Sequence, residues 1–390
     1  MDTNSEDMKY KVVKGKVSLD NGKTEDRWFV IKNGIPIFEI NEWIEKKSIR
    51  KLSTGKKYAY SLVKFLNYLE LRNKLYYTAN KSDVEYFIDY LIFGVTPDLN
   101  YINIEGRVTY STIRGYITTI TEFYRWLEDN GLNSNMTFTK KKDYYNSSNS
   151  YLYGQIWGSN YNVIIDDRIG RLKPSKDYIK WYTDEETHAL ESNFLTLRDR
   201  VVFLLTMQGL RIDEVLSIRL MDYDRDELIV KPHRSKGKAI GQGRPIVLTE
   251  DLCEDIDNYI WNERAEAEVN SGQISDMLFI NIKNSNTQGE TLKYKNYIQI
   301  LKSCAKRAGL DYKKIRTHSG RSSRTMELLR HQAKYPEDNL TDEMIRQIMG
   351  WNSPTSINPY KNHQDIELAK LASEKVQMRK MNKEDGDTEI

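Results

Sequence analysis

A long stretch without hydrophobic periodicity, from Thr137 to Asp177, constrains this chain most, because it separates two regions that do show regular patterns. It contains Lys140, Lys141 and Lys142, followed by a run rich in serine, asparagine and tyrosine. Irregular stretches of this length in compact folds are usually linkers or functional loops. The chain has 390 residues, and single hydrophobic cores stop growing at roughly 250. The sequence therefore predicts two or three domains with a junction over residues 136–177.

The region before the junction changes period once. Residues 8–40 alternate as strands do, with turn signals at Asp20–Gly22 and Asn33–Gly34. Apolar residues then recur at helical spacing, most clearly from Ile113 to Leu127. We therefore expect a strand-rich segment at residues 1–45 and a helical domain at 46–135.

The region after the junction opens with a capping box at Thr183–Glu186. Helical patterns follow, interrupted by a basic hairpin in which Leu228–Val230 and Ile246–Leu248 flank a glycine-rich tip at Ser235–Gly243. A second domain at 178–380 and a disordered tail at 381–390 are predicted. The whole chain should be mainly α with small β elements.

Composition excludes several classes of protein. Hydrophobic residues make up 39% and aromatic residues 11%, which is enough for folded cores. No run approaches the ~18 apolar residues of a membrane span, and the first residues lack the apolar region of a secretory signal. The only cysteines, Cys253 and Cys304, fit a reducing compartment and exclude a cysteine-based metal cage. A cytoplasmic protein is expected.

Basic residues are concentrated locally although 59 Lys and Arg nearly balance 56 Asp and Glu overall. Three separate basic segments, 44–77, 229–244 and 310–334, favour an extended polyanion such as DNA, although a solvated lysine-rich surface is the alternative. The residues predicted to contact DNA are Lys46, Lys47, Arg50, Lys51, Lys56, Lys57, Arg114, Lys140, Lys141, Lys238, Arg244 and Arg324.

One candidate catalytic cation follows a buried helix. Residues 198–208 are almost wholly apolar in the middle, and Gly209 is a natural helix stop. Arg211 therefore emerges from a buried turn, where a guanidinium needs a partner, and Glu214 is placed to brace it. The alternative is that Arg211 and Glu214 form a purely structural ion pair.

A second cluster lies further along the chain. His318 and Arg321 fall on one face at the start of a predicted helix, where backbone amides favour a phosphate. Another helix stops at Gly350, followed directly by Trp351 and later by Tyr360.

These motifs, in this order and at these distances, resemble the tyrosine recombinase (phage integrase) family. The resemblance covers about Thr183 to Leu371, and the helical domain before it is similar to the family's core-binding domain. It implies a mixed α/β catalytic domain that closes with the helical domain as a clamp around double-stranded DNA. Strands would be cut and rejoined through a covalent phosphotyrosine, without metal or nucleotide cofactor.

The resemblance also assigns roles. Arg211 and Arg321 would clamp the phosphate, as bidentate guanidinium suits, and Tyr360 would be the nucleophile. His318 would assist proton transfer or donate to the phosphate, Trp351 would supply an indole N–H, and Glu214 would be the acidic brace. Lys236 on the hairpin would protonate the leaving oxygen, with Lys238 as its rival.

Two features depart from the family pattern. Gly320 replaces the usual bulky apolar residue before the second arginine, which predicts a looser helix start, and the interval from Arg330 to Leu340 is longer than usual. Neither removes a catalytic group.

The resemblance bears on partners as well. It implies a tetramer on DNA, with accessory DNA-binding proteins as further candidates, and a helix at Gln364–Met378 that docks on a neighbouring protomer or else on its own domain. Segments Trp28–Val30 and Gly34–Pro36 look like the entry segment of transposon-borne members. The alternatives are a type IB topoisomerase and a DNA-binding protein without activity.

Overall fold

The computed structural model describes residues 9–18, 22, 24–49, 51–94, 108–132, 135–136, 140–142, 159–161, 180–235 and 238–386. The chain divides into two compact units, Met1–Lys176 and Asp177–Ile390.

The first unit begins with a three-stranded antiparallel sheet. Strands β1 (Tyr10–Ser18) and β2 (Thr24–Lys32) pair in a register that sets Tyr10 opposite Lys32, and β3 (Ile35–Pro36) adds to β2. The helices are α1 (Phe38–Ser48), α2 (Leu52–Leu71), α3 (Lys81–Phe93) and α4 (Tyr110–Asp129). Two short strands, β4 (Lys140–Lys142) and β5 (Ser159–Tyr161), pair within the predicted junction.

The sheet and the helices of this unit share one hydrophobic core. Tyr10 and Val30 from the sheet pack in the same buried cluster as Trp43 of α1 and Phe65 of α2. The Asn67 side chain also bonds the backbone N–H and C=O of Tyr10, at 2.9 and 3.0 Å. The strands therefore do not form a separate segment ending at residue 45, and helix begins at Phe38, inside the stretch 8–40 that alternates as strands do.

The second unit is mainly helical with one small sheet. Antiparallel strands β6 (Tyr223–Asp224), β7 (Ile229–Val230) and β8 (Ile246–Val247) include the predicted hairpin. The helices are α5 (Asp184–Glu191), α6 (Leu197–Met207), α7 (Ile212–Val215), α8 (Glu250–Tyr259), α9 (Ala265–Ser271), α10 (Tyr294–Arg307), α11 (Ser319–Lys334), α12 (Asp342–Met349) and α13 (Asn358–Gly386). A π-helical turn, Ile260–Arg264, joins α8 to α9.

Local signals set the helix ends that matter for the site. The predicted capping box is present at the start of α5, where Thr183 and Glu186 exchange backbone and side-chain bonds. Gly209 ends α6 with a φ of 90°, and Gly350 ends α12 with a φ of 59°. Both angles are in the left-handed region, which glycine adopts without strain.

Helix α13 is longer than the predicted segment 364–378. It starts at Asn358 and continues to Gly386, through part of the predicted disordered tail, while residues 387–390 lie outside the described part of the chain. Ile366, Leu371 and Val376 are more than half exposed on it. No helix in the described ranges is long and apolar enough to cross a membrane.

Candidate active site

The Arg211 turn is built around a buried carboxylate. Arg211 caps α7, and its backbone N–H and a guanidinium nitrogen each donate to Glu214, both at 2.9 Å. Glu214 is only 2% exposed. Burial alone would raise the pKa of Glu214, but the Arg211 backbone bond and the charges of Arg211 and Arg244 outweigh it and lower the pKa. The brace predicted from the three-residue spacing is therefore present and ionised.

Arg321 lies beneath this turn, almost fully buried. It projects from the first turn of α11, and its two terminal nitrogens donate to the carbonyl oxygens of Gly209 and Met349. Its Nε has no hydrogen-bond partner in the structure. Burial and the nearby charges of Arg211 and Arg244 lower the pKa of Arg321 to about 9. A phosphate between Arg211 and Arg321 would relieve this unfavourable concentration of positive charge.

Trp351 and Tyr360 stack beside Arg321. The two rings are 5.7 Å apart between centroids at 25°, and the Arg321 guanidinium carbon is 5.8 Å from the Trp351 ring. Tyr360, near the start of α13, is 7% exposed, and its hydroxyl lies 3.2 Å from Ser322 Oγ on α11. The structure thus shows the tyrosine in a buried position, held by a serine that follows Arg321 in sequence.

His318 lies at the solvent-exposed side of the site. It caps α11 and, with Arg211, Thr317 and Tyr294, lines a cavity of about 350 Å³. Partial desolvation and the charges of Arg321 and Arg211 lower the pKa of His318. The imidazole is therefore neutral near pH 7 and is able to accept a proton.

Gly320 allows the two central helices of the site to touch. A Cβ on Gly320 would lie 2.4 Å from Thr206 Oγ1 and 3.1 Å from the Thr206 carbonyl carbon on α6. The predicted looseness at this helix start is wrong, because Gly320 is buried and packs directly on α6. The departure from the family pattern instead lets α11 approach α6 closely.

Comparison with known proteins agrees with this geometry. A model of the "Phage integrase family" matches residues 183–367, a range that holds Arg211, Glu214, His318, Arg321, Trp351 and Tyr360. This part of the chain is a tyrosine recombinase domain. A search of curated proteins found no match.

Solved structures of recombinases match the fold over most of the chain. XerH site-specific recombinase bound to palindromic difH substrate is 16% identical, with a TM-score of 0.57 and coverage of 86% of this chain and 83% of XerH. The Tn1549 transposon integrase in complex with transposon right end DNA is 13% identical, with a TM-score of 0.56 and coverage of 86% and 98%. At these identities the likeness shows the fold.

The lysine predicted to protonate the leaving oxygen, Lys236 or Lys238, belongs to the predicted hairpin tip. Lys236 and Gly237 lie outside the described residues. Lys238 is exposed, and Ser235, at the base of the tip, donates to Glu214 at 2.8 Å. The tip is thus anchored to the brace of Arg211, and the choice between Lys236 and Lys238 stays open.

Arg244 is placed differently from what its basic surroundings predicted. It is 9% exposed, and it donates to the carbonyl oxygens of Gly209 at 3.0 Å and Ile348 at 2.7 Å. Buried in this way, it does not face a surface that a duplex could reach. Sequence reasoning missed its position in the site because nothing in the local pattern around Pro245 separates a buried arginine from the exposed lysines nearby.

The other residues that were predicted to contact DNA differ in their exposure and in their ion pairing. Lys47 pairs with Glu122 at 2.5 Å and is largely covered, whereas Lys46 pairs with Glu42 at 3.2 Å at the surface. Lys56 lies 4.7 Å from the centre of the Trp28 ring. Exposed members are Lys51, Lys57 and Arg114, while Arg324 is partly buried and bonded to Glu327. Arg50 and the side chains of Lys140 and Lys141 lie outside the described part.

Proposed function

We propose that this protein is the site-specific DNA recombinase of a mobile element and acts in its integration, excision or transposition. The observation that carries the proposal is the convergence of Arg211, His318 and Arg321 on one site, beside Trp351 and a buried Tyr360. Two arginines, a neutral imidazole and a tyrosine suit attack on a phosphodiester, in which negative charge builds on the non-bridging oxygens.

The reaction can be written with these groups alone. The Tyr360 hydroxyl oxygen attacks phosphorus and forms a 3′-phosphotyrosyl bond, while the bond to the 5′-oxygen breaks. His318 takes the tyrosine proton, and Lys236 or Lys238 gives a proton to the leaving oxygen. Attack by a 5′-hydroxyl of another strand reverses these steps. The phosphotyrosyl bond conserves the energy of the broken linkage, so rejoining needs no nucleotide.

The proposed activity also implies a substrate and an oligomeric state. We propose double-stranded DNA at the element's ends and targets as the substrate. Two solved structures of similar fold are XerH bound to difH substrate and the Tn1549 integrase in complex with transposon right end DNA. A tetramer would carry out exchange, in the compartment that holds the DNA, the bacterial cytoplasm.

The first experiment is covalent trapping. The full-length protein is mixed with nicked duplexes that carry the ends of its element, and the products are separated on a denaturing gel. We expect a slow-migrating adduct with the wild type and none with Tyr360→Phe. Tyr335→Phe is the matched control, because Tyr335 is an exposed tyrosine of the same domain at the end of α11.

Two outcomes would contradict the proposal. An adduct that survives Tyr360→Phe would assign the nucleophile elsewhere, and absence of an adduct on DNA that the protein binds would favour a binding protein. Strand exchange between two labelled duplexes then separates a recombinase from a type IB topoisomerase, which would only relax supercoiled DNA.

A further inference from the structure

Arg244 joins two turns of the catalytic domain that lie far apart in the sequence. One guanidinium nitrogen donates to the Gly209 carbonyl at 3.0 Å, and Nε donates to the Ile348 carbonyl at 2.7 Å. The first turn carries Arg211, and the second carries Trp351. A single side chain therefore sets the separation of two segments that both supply groups to the site.

The Gly209 oxygen is shared with Arg321. One terminal N–H of Arg321 donates a hydrogen bond to the same oxygen, so both lone pairs of this carbonyl are used. The remaining nitrogen of Arg244 is buried without a hydrogen bond and lies 3.6 Å from Glu214, the brace of Arg211. Arg244 therefore lies next to Glu214, which holds Arg211, and shares with Arg321 the carbonyl oxygen of Gly209.

The second turn is shaped to receive Arg244. A Cβ on Gly350 would lie 2.8 Å from a guanidinium nitrogen of Arg244 and 3.1 Å from its Cδ. Gly350 also has a φ of 59°, so a side chain at this position would be strained and would displace the arginine.

We infer that Arg244 is a positioning residue of the recombinase, which fixes Arg211, Arg321 and Trp351 relative to one another by bridging the turns at Gly209 and Ile348. The inference rests on the proposed function. A guanidinium fork is required, because lysine has a single nitrogen and cannot hold two carbonyls in fixed directions. The bridge determines the positions of the groups in the site, and Arg244 does not contribute to the affinity for DNA.

The test compares Arg244→Lys and Arg244→Met with Arg264→Lys and Arg264→Met in the full-length protein. Arg264 is a matched control, since it is also buried and donates to main-chain carbonyls, those of Ser275 and Met277, away from the site. Melting temperatures compare the stability of the four variants, and only folded proteins are compared further.

Two measurements on DNA separate the possible roles. With saturating protein on a nicked duplex, we expect both Arg244 variants to form the covalent adduct about 10²-fold more slowly, as misplaced catalytic groups do. Their affinity for intact duplex should stay within twofold, and its dependence on salt should not change. The Arg264 variants should form the adduct at the wild-type rate.

A third measurement does not depend on activity. In hydrogen exchange of the free protein, the amides around Gly209–Arg211 and those around Gly350–Trp351 should exchange faster together in the Arg244 variants only. This result would support the bridge even if the wild type forms no adduct, in which case the proposed function fails and the inference about the fold stands.

Contrary results are equally specific. Weaker binding with a salt slope reduced by about 0.9 would make Arg244 a phosphate contact. A lower melting temperature with an unchanged adduct rate, or unchanged exchange at both turns, would make it a structural arginine like Arg264. Each of these results would overturn the inference.

Discussion

At the scale of single residues, the site is a set of charges held by main-chain oxygens and by one carboxylate. Arg321 and Arg244 are oriented by carbonyls, and Arg211 by Glu214. Tyr360 is held by a neutral hydroxyl, Ser322. The arginines are thus firmly fixed in the free protein, while the hydroxyl of Tyr360, the proposed nucleophile, is held by one weak hydrogen bond.

Ser322→Ala should speed covalent adduct formation. The hydroxyl of Tyr360 would lose its partner in the buried position, which is worth about 1 kcal/mol, so the tyrosine should leave that position roughly fivefold more often. The measurement is the rate of adduct formation at saturating protein on a nicked duplex.

Ser323→Ala is the control for this prediction, because its hydroxyl bonds Ser319 and Tyr182 and does not contact Tyr360. A slower reaction in Ser322→Ala, with Ser323→Ala unchanged, would mean that the serine orients the nucleophile for attack.

Glu214→Gln should destabilise the protein by about 3 kcal/mol near neutral pH, because two arginines lose their buried counter-charge. The pKa of Glu214 is lowered in the folded state. Its contribution is therefore complete above the unfolded value of about 4.3 and is lost as the pH falls through the lowered pKa. Denaturant unfolding at several pH values should show the difference from wild type shrinking below about pH 4.

The exposed neighbour Asp213, changed to Asn, provides the comparison for Glu214→Gln. A difference between wild type and Glu214→Gln that stays constant from pH 7 to pH 3 would show that the pKa of Glu214 is the same in the folded and unfolded states, and would contradict the prediction.

At the scale of elements, close contact between α6 and α11 fixes where Arg321 emerges. The pair meets at Thr206 and Gly320, where no room remains for a side chain. The helix start is therefore firm although glycine is a poor helix former.

Gly320→Ala should destabilise the catalytic domain by about 1–3 kcal/mol, since the new methyl group would overlap Thr206 Oγ1. Removing that oxygen with Thr206→Ala should restore part of the loss. Unfolding free energies of the two single variants and the double variant form the required cycle. Strictly additive losses would show that the two side chains do not meet.

The features of the fold and the site that could be predicted from the sequence are those that depend only on residues close together in the chain. The stops at Gly209 and Gly350 and the capping box at Thr183 were predictable, because each depends on a few neighbouring residues. The start of α1 at Phe38 was missed, since the sheet before it has no independent core. The burial of Arg244 was also missed, because it depends on carbonyls that are distant in sequence. The contact of Gly320 with Thr206 likewise required the packed structure.

At the scale of the whole molecule, the long C-terminal helix is the element that we propose for assembly with other copies. Helix α13 leaves the site after Tyr360, is anchored to α11 through a bond from Gln364 to the Leu329 carbonyl, and then exposes apolar residues. We predict that this exposed part docks on a neighbouring protomer.

Leu371→Asp combined with Val376→Asp should reduce strand exchange between two duplexes at least about tenfold, because charges would be buried in the contact. Adduct formation on a single duplex should be unchanged. Lys375→Asp changes the net charge by the same amount on the same helix and is the control. Equal loss of both activities, together with a lower melting temperature, would show that α13 packs on its own domain.

The reliance on main-chain oxygens also affects how the protein can change over generations. Side chains at Ile348 and Met349 can vary without removing any of the acceptors that orient Arg321 and Arg244, because every residue type offers the same carbonyl. Mutational tolerance should accordingly be high at these positions as long as packing is kept. It should be low at Gly209 and Gly350, where the chain direction itself aims the oxygens, so the constraint on this site falls on backbone shape more than on residue identity.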